Sequence, residues 1–177
     1  MNNKKPKQAV YVGRFNPIHL GHEAVIAKML EQFGTENSLL ILGSSTADFS
    51  ERHFFSFKER TDFIKTIFPE LPIVGLPDFP TDQQWLFELD KILLAKNFDP
   101  AEVAFFGGCP ADRVCFLETG RTCQVLNRVD GTTPIISATQ VRALLSNNKS
   151  IKNFLNPLIT NKVKNLFAEK HKKSRKR

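Results

Sequence analysis

Four short apolar runs, "QAVYVG" (8–13), "SLLILGSS" (38–45), "LPIVGL" (71–76) and "AEVAFFGG" (101–108), alternate with stretches whose apolar residues recur at helical spacing. After the first run, Ala24, Ile26, Ala27, Leu30 and Phe33 fall near one helix face before Gly34 as a stop. "SFKERTDFIKTIF" (56–68) opens on a serine followed three residues later by Glu59, the pattern of a capping box. "TDQQWLFELDKILLAKN" (81–97) predicts another helix, with Thr81 or Asp82 as its cap. Further on, "CQVLNRV" (123–129) reads as a fifth strand and "PIISATQVRALLS" (134–146) as a short apolar run entering a helix. "NPLITNKVKNLFAEK" (156–170) reads as a last helix, with Pro157 suited to its first turn. Such alternation, joined by short connections, predicts an α/β fold: a Rossmann-like parallel sheet with helices on both faces. Ligands of such sheets bind at the carboxyl ends of the strands. The glycine-bearing turns "GRFNP", "GSS" and "GGCPAD" would share that edge.

A chain of 177 residues, 41% of them apolar, can bury one sizeable core, so one domain over residues 1–169 is expected. No run approaches the roughly 20 apolar residues of a membrane span, and "MNNKKPKQ" lacks the apolar stretch of a secretory signal, so the reading is a cytoplasmic protein with no membrane partner. Cys109, Cys115 and Cys123 form no CxxC pair and indicate neither a disulfide framework nor a metal knuckle. The net charge of +7 sits at the ends. Lys4, Lys5 and Lys7 with the six Lys and Arg residues of "KHKKSRKR" supply nine of the 25 basic residues, leaving 16 against 18 acidic ones in residues 8–169. Residues 170–177 are therefore expected to be a disordered basic tail, the one place where nucleic acid could bind.

The chemistry concentrates in "GRFNPIHLGH" (13–22), where a strand gives way to a helix. A helix starting near Leu20 turns unpaired backbone N–H groups and the positive end of its dipole to the ligand edge, an anion site. Gly21 removes a side chain where a phosphate must come close, and His19 and His22 lie one helical turn apart. Arg14, in the turn before, adds a fork of donors suited to phosphate. For an isolated HxxH spacing, ordinary polar residues at a helix start would be the better reading; here Arg14, Pro17 and Gly21 at the same turn must be explained too. A second constellation, "ISATQVR" (136–142), puts Ser137 or Thr139 at a helix start with Arg142 one turn beyond Thr139. Two such grips suit one triphosphate.

These two motifs resemble the (H/T)xGH and ISxTxxR signatures of the nucleotidylyltransferase superfamily, in the same order. The wording of the first, with GRF and a doubled histidine, is similar to that of the archaeal-type nicotinamide mononucleotide adenylyltransferases and of the adenylyltransferase domain of the bifunctional enzymes that carry a Nudix domain. "LGSSTADFSERHFFSFKERTDFI" and "LPDFPTDQQWL" are similar to that group's intervening segments. The resemblance implies a nucleotidylyltransferase fold and transfer of AMP from ATP to nicotinamide mononucleotide, giving NAD and pyrophosphate. It maps Gly13, Arg14, Phe15, His19 and His22 onto the nucleotide site, with His22 on the charge that develops in transfer, and Ser137, Thr139 and Arg142 onto the phosphates. Trp85 matches the residue that stacks on the nicotinamide ring, with Asp78 nearby; packing in the core is the competing role for Trp85. Mg²⁺ is expected to be carried by ATP phosphates and water, with no protein metal ligand.

Two segments depart from that pattern. "HFF" (53–55) stands where the bifunctional relatives tend to have "NPF", and "GGCPAD" follows the fourth strand where a histidine and lysines are common; the resemblance still assigns Gly107 to the nucleotide site, with Gly108 and Asp112 beside it. The acceptor accordingly stays open to a phosphopantetheine, a flavin nucleotide or a phospho-alcohol, and the oligomeric state is open, a homo-oligomer included. A non-catalytic nucleic-acid-binding or regulatory protein on the same fold is the reading from another class, and it predicts salt-sensitive nucleic-acid binding without turnover.

Overall fold

The computed structural model describes residues 5–108, 120–125 and 135–174. Its strands are β1 (Gln8–Gly13), β2 (Ser38–Gly43), β3 (Ile73–Leu76), β4 (Val103–Gly107) and β5 (Thr122–Val125), and its helices α1 (Leu20–Phe33), α2 (Phe57–Ile67), α3 (Asp82–Ala95), α4 (Ala138–Ser146) and α5 (Pro157–Ser174). The strands form one sheet, all-parallel as the alternation predicts, and folding sets their order as β3-β2-β1-β4-β5. Strand order reverses beside β1, so the carboxyl end of β1 opens at the switch point where such sheets bind ligands.

The two-residue side-chain period splits the core into two layers. Ala9, Tyr11, Leu40, Leu42, Ala104 and Phe106 face α1, α2, α4 and α5, which contribute Val25, Met29, Phe63, Val141, Val163 and Phe167. Val10, Leu39, Ile41, Val103 and Phe105 pack on the opposite side against Leu89 and Leu93 of α3. Each large apolar side chain so enclosed contributes about 1.5–3 kcal/mol relative to exposure. Among the described residues the covering is uneven: four helices lie on one face and α3 on the other.

Local signals account for the helix starts. Ser56 and Glu59 form both halves of a capping box on α2, and Ser137 and Gln140 do the same on α4. Thr81, rather than Asp82, caps α3 by accepting from the Gln84 N–H. Gly34 ends α1 at φ +72°, in the left-handed region that favours glycine.

The C-terminal boundary needs correcting. The basic segment expected to begin as a free tail at residue 170 starts instead as the last turns of α5, which continue to Ser174. Phe167 stacks on Phe54 at 4.2 Å, and Lys170 donates to the Phe54 carbonyl and pairs with Glu59. Counting charges along a sequence cannot reveal an acid from α2 waiting beside that turn. Asp112, Cys109, Cys115 and the later part of the fifth-strand segment lie outside the described residues. Among the described residues, no helix is long and apolar enough to cross a membrane.

Candidate active site

A cleft of about 1220 Å³ opens along the carboxyl edge of the sheet. Its floor begins where β1 ends. A Cβ added to Gly13 would lie 2.9 Å from the Phe15 ring, so the strand must end in glycine for Phe15 to fold back beneath it. Phe15 takes φ +47° and is 1% exposed; its ring meets Tyr11 at 5.0 Å and His22 at 4.8 Å, both edge-on. Its ring is thus a buried support under His22.

Asn16 then locks the turn. Its side-chain amide donates to the Phe55 carbonyl at 3.1 Å and its oxygen accepts from the Phe55 N–H at 3.0 Å, fixing the turn to the segment before α2. His19 is the N-cap residue of α1, with extended backbone and no side-chain capping bond, so its imidazole is not spent on the helix. The His19 and His22 rings stack at 3.6 Å with 22° between planes. His19 is buried and His22 half-buried, so the pair presents itself one ring behind the other to the cleft they both line.

The second motif arrives from across the sheet. Ser137 caps α4, and Thr139 lies in its first turn, accepting from Arg142 Nη2 at 3.2 Å. Arg142 Nη1 donates to the Asn16 carbonyl at 2.6 Å, tying the two motifs together. Burial pulls the Arg142 guanidinium below its ordinary value, and the charges of Arg14 and Arg52 reinforce the shift. Three guanidinium groups so gathered, beside two helix starts, favour a polyanion, whose binding would relieve their repulsion.

Asp78 and Trp85 complete the opposite wall. Asp78, beyond β3, accepts from Ser44 Oγ at 2.9 Å. Trp85, on α3, lines the cleft while also packing on the core layer of Leu89 and Leu93, so its packing in the core does not remove it from the cleft. Of the residues the sequence singles out, Gly13, Arg14, Phe15, His19, His22, Asp78, Trp85, Ser137, Thr139 and Arg142 all come to this cleft. Gly21 and Gly107 do not: Gly21 is buried in α1, Gly107 ends β4, buried and paired with Val125, and neither is part of the lining among the described residues.

Sequence reasoning missed Arg52, His53 and His171, which also line the cleft. Burial holds the His53 imidazole below its ordinary value; Asp78 opposes this and Arg14, Arg52 and Arg60 add to it. The signal for these two was present, since "SERHFF" is a charged insertion between a strand and a helix start. For His171 there was none short of knowing that α5 packs here.

An all-parallel sheet whose carboxyl edge brings two helix starts, four histidines and three arginines into one cleft defines a nucleotide-binding α/β protein of the nucleotidyltransferase type. The chain belongs to the cytidylyltransferase-like family, whose model matches residues 10–144. It is 35% identical over 93 residues to a nicotinamide-nucleotide adenylyltransferase from Methanocorpusculum labreanum, covering 49% of this chain and 53% of that protein. Another nicotinamide-nucleotide adenylyltransferase, from Methanospirillum hungatei, is 25% identical over 165 residues, 90% of this chain and 88% of its own length. A probable nicotinate-nucleotide adenylyltransferase from Aliarcobacter butzleri is 25% identical over 101 residues, 56% of this chain and 55% of that one. Two of these three matches thus span about half the relative's length. Among solved structures, a bifunctional NMN adenylyltransferase/ADP ribose pyrophosphatase from Francisella tularensis superposes with a TM-score of 0.70 at 21% identity, over 84% of this chain and 44% of that one. At that identity the likeness establishes the fold.

Proposed function

We propose that this chain transfers the AMP unit of ATP to nicotinamide mononucleotide, giving NAD and pyrophosphate. The observation that carries the reading is the Arg142–Asn16 bond, which joins the two phosphate-gripping motifs at one cleft, with Trp85 and Asp78 on the wall facing them. The names of the M. hungatei and M. labreanum relatives support it. An oxygen of the acceptor phosphate attacks the α-phosphorus of ATP, a P–O bond forms, and the bond to the departing pyrophosphate breaks. That phosphate is anionic at neutral pH, so no side chain need take a proton from it. Catalysis then consists of alignment and charge stabilisation. His22 faces the charge that develops, with His19 stacked behind it, and Arg14 and Arg142 hold the phosphate chain. Ser137 and Thr139 sit at the α4 start to receive phosphate oxygens. Among the described residues the carboxylates lining the cleft are Asp78, engaged by Ser44, and Glu51, which fits a Mg²⁺ held chiefly by phosphates and water. When bound, the ion would neutralise phosphate charge.

The name of the A. butzleri relative favours a second acceptor, nicotinate mononucleotide, which differs by one carboxylate. Both readings are tested by incubating the protein with ATP, Mg²⁺ and, in turn, nicotinamide mononucleotide, nicotinate mononucleotide, phosphopantetheine, flavin mononucleotide and glycerol phosphate, following pyrophosphate release. Release with nicotinamide mononucleotide at the highest kcat/KM is expected. Preference for nicotinate mononucleotide would move the proposal to the second reading, and release with neither pyridine nucleotide would overturn both.

A further inference from the structure

Arg60 lies on the inward side of α2, 2% exposed, where helical spacing would call for an apolar residue. Its guanidinium works as a fork on backbone. Nη1 donates to the carbonyls of Arg14 at 2.6 Å and Gly43 at 2.9 Å, and Nη2 to that of Ser44 at 3.0 Å. The first carbonyl follows the end of β1; the others are at the end of β2.

Both exits share an unusual bend. Phe15, directly after Arg14, has φ +47°, and Ser44, directly after Gly43, has φ +50°. Left-handed backbone at a non-glycine residue is strained and persists only where its surroundings hold it. Here one guanidinium binds the carbonyls beside both bends. The contacts also extend sideways: Ser44 Oγ donates to Asp78 Oδ1, so the fork reaches the exit of β3 through Ser44. Burial draws Arg60 down to about 10, opposed by Asp78 and reinforced by Arg14. A lysine could not span three carbonyls from two strands with the same planar geometry.

We infer that Arg60 is a positioning residue that sets the two sides of the cleft in register, holding the Arg14 turn on the nucleotide side and the Ser44–Asp78 pair on the acceptor side. The inference rests on the proposed adenylyl transfer for its kinetic consequence and on backbone geometry alone for its structural one. It does not require Arg60 to touch either substrate. Misalignment of two bound reactants by about 1 Å can cost on the order of a hundredfold in rate, and the loss falls on kcat.

The test is Arg60→Lys, with Ser44→Gly as its companion. Arg60→Lys should lower kcat per folded molecule by roughly tenfold to a hundredfold, with the ATP KM within about threefold of the parent. Arg60→Lys should also lower the melting temperature, and adding Ser44→Gly relieves the left-handed strain, so the melting temperature should recover while kcat stays low, because the hydroxyl that orients Asp78 is gone. A parent-like kcat in Arg60→Lys, or recovery of kcat together with melting temperature in the double variant, would overturn the inference in favour of a purely stabilising role. Hydrogen exchange keeps this separate from the question of activity. The Ser45 N–H donates to the Leu76 carbonyl and the Phe55 N–H to Asn16, and both should exchange at least about tenfold faster in Arg60→Lys than in the parent, with central β1 amides unchanged. Should the parent make no dinucleotide, the functional proposal falls and exchange alone decides this one; unchanged protection at both amides would sink it.

Discussion

At the scale of single residues, the proposed transfer would divide the labour of the histidine pair by depth. Only interactions stronger in the transition state than in the ground state raise kcat, and His22 is the half-buried ring of the stack while His19 is enclosed behind it. His22→Ala should therefore lower the single-turnover rate by on the order of 10²–10³ with little change in melting temperature, the scale for losing one preorganised donor. His19→Ala should weaken ATP binding and also lower the melting temperature, since it empties a site 1% exposed beneath its partner. A parent-like rate in His22→Ala would reduce the motif to an ordinary helix start. Trp85 can be separated in the same way, because its ring faces both cleft and core. Trp85→Leu keeps an apolar filling but no stacking face, a loss of about 0.5–1.5 kcal/mol, so the acceptor KM should rise up to roughly tenfold with the ATP KM unchanged. Trp85→Phe should keep both constants near parent values.

Among the elements, α5 has the most to add to what its sequence suggested. The helix ends beside the cleft, with His171 stacked on Phe167 at 5.6 Å and Lys170 joined to Glu59. Burial would raise the Glu59 carboxyl, but hydrogen bonds from Lys170 and Ser56 outweigh it and hold it below its ordinary 4.5. A depressed carboxyl contributes stability that is complete above its unfolded-state value and lost as pH falls through the lower folded-state value. Lys170→Met should thus lower the melting temperature at pH 7, by the equivalent of about 1–2 kcal/mol for a half-buried pair, and flatten the fall in stability below pH 4.5. Ending the chain at Glu169 should do the same and raise the KM values by removing His171 from the rim, whereas ending it at Ser174 should leave both intact. Equal melting and turnover for the 169-residue and full-length chains would return residue 170 to the tail.

Considered whole, the molecule gathers charge where the sequence shows none in excess. Residues 8–169 carry 16 basic and 18 acidic residues, yet Arg14, Arg52, Arg60 and Arg142 converge on one strand edge from four separate segments. The alternation behind the parallel sheet, the capping box of α2, Ser137 as a candidate cap of α4 and both cleft-lining motifs were legible beforehand, because each depends on residues within a few positions of one another: a two-residue or helical period, a serine three before an acid, a glycine at a turn. What lies far apart in the chain was not. Arg60 reads from sequence as one more polar residue of an amphipathic helix, and Lys170 as part of a charge run, since their partners, the Arg14 and Gly43 carbonyls and Glu59, are brought beside them only by folding. Local periodicity determined the elements, and two short motifs marked residues that line the cleft; tertiary packing alone decided which carbonyls the buried guanidinium would hold and which face of α5 would close the cleft, because hydrogen bonds between distant segments leave no pattern in the order of residues along a chain.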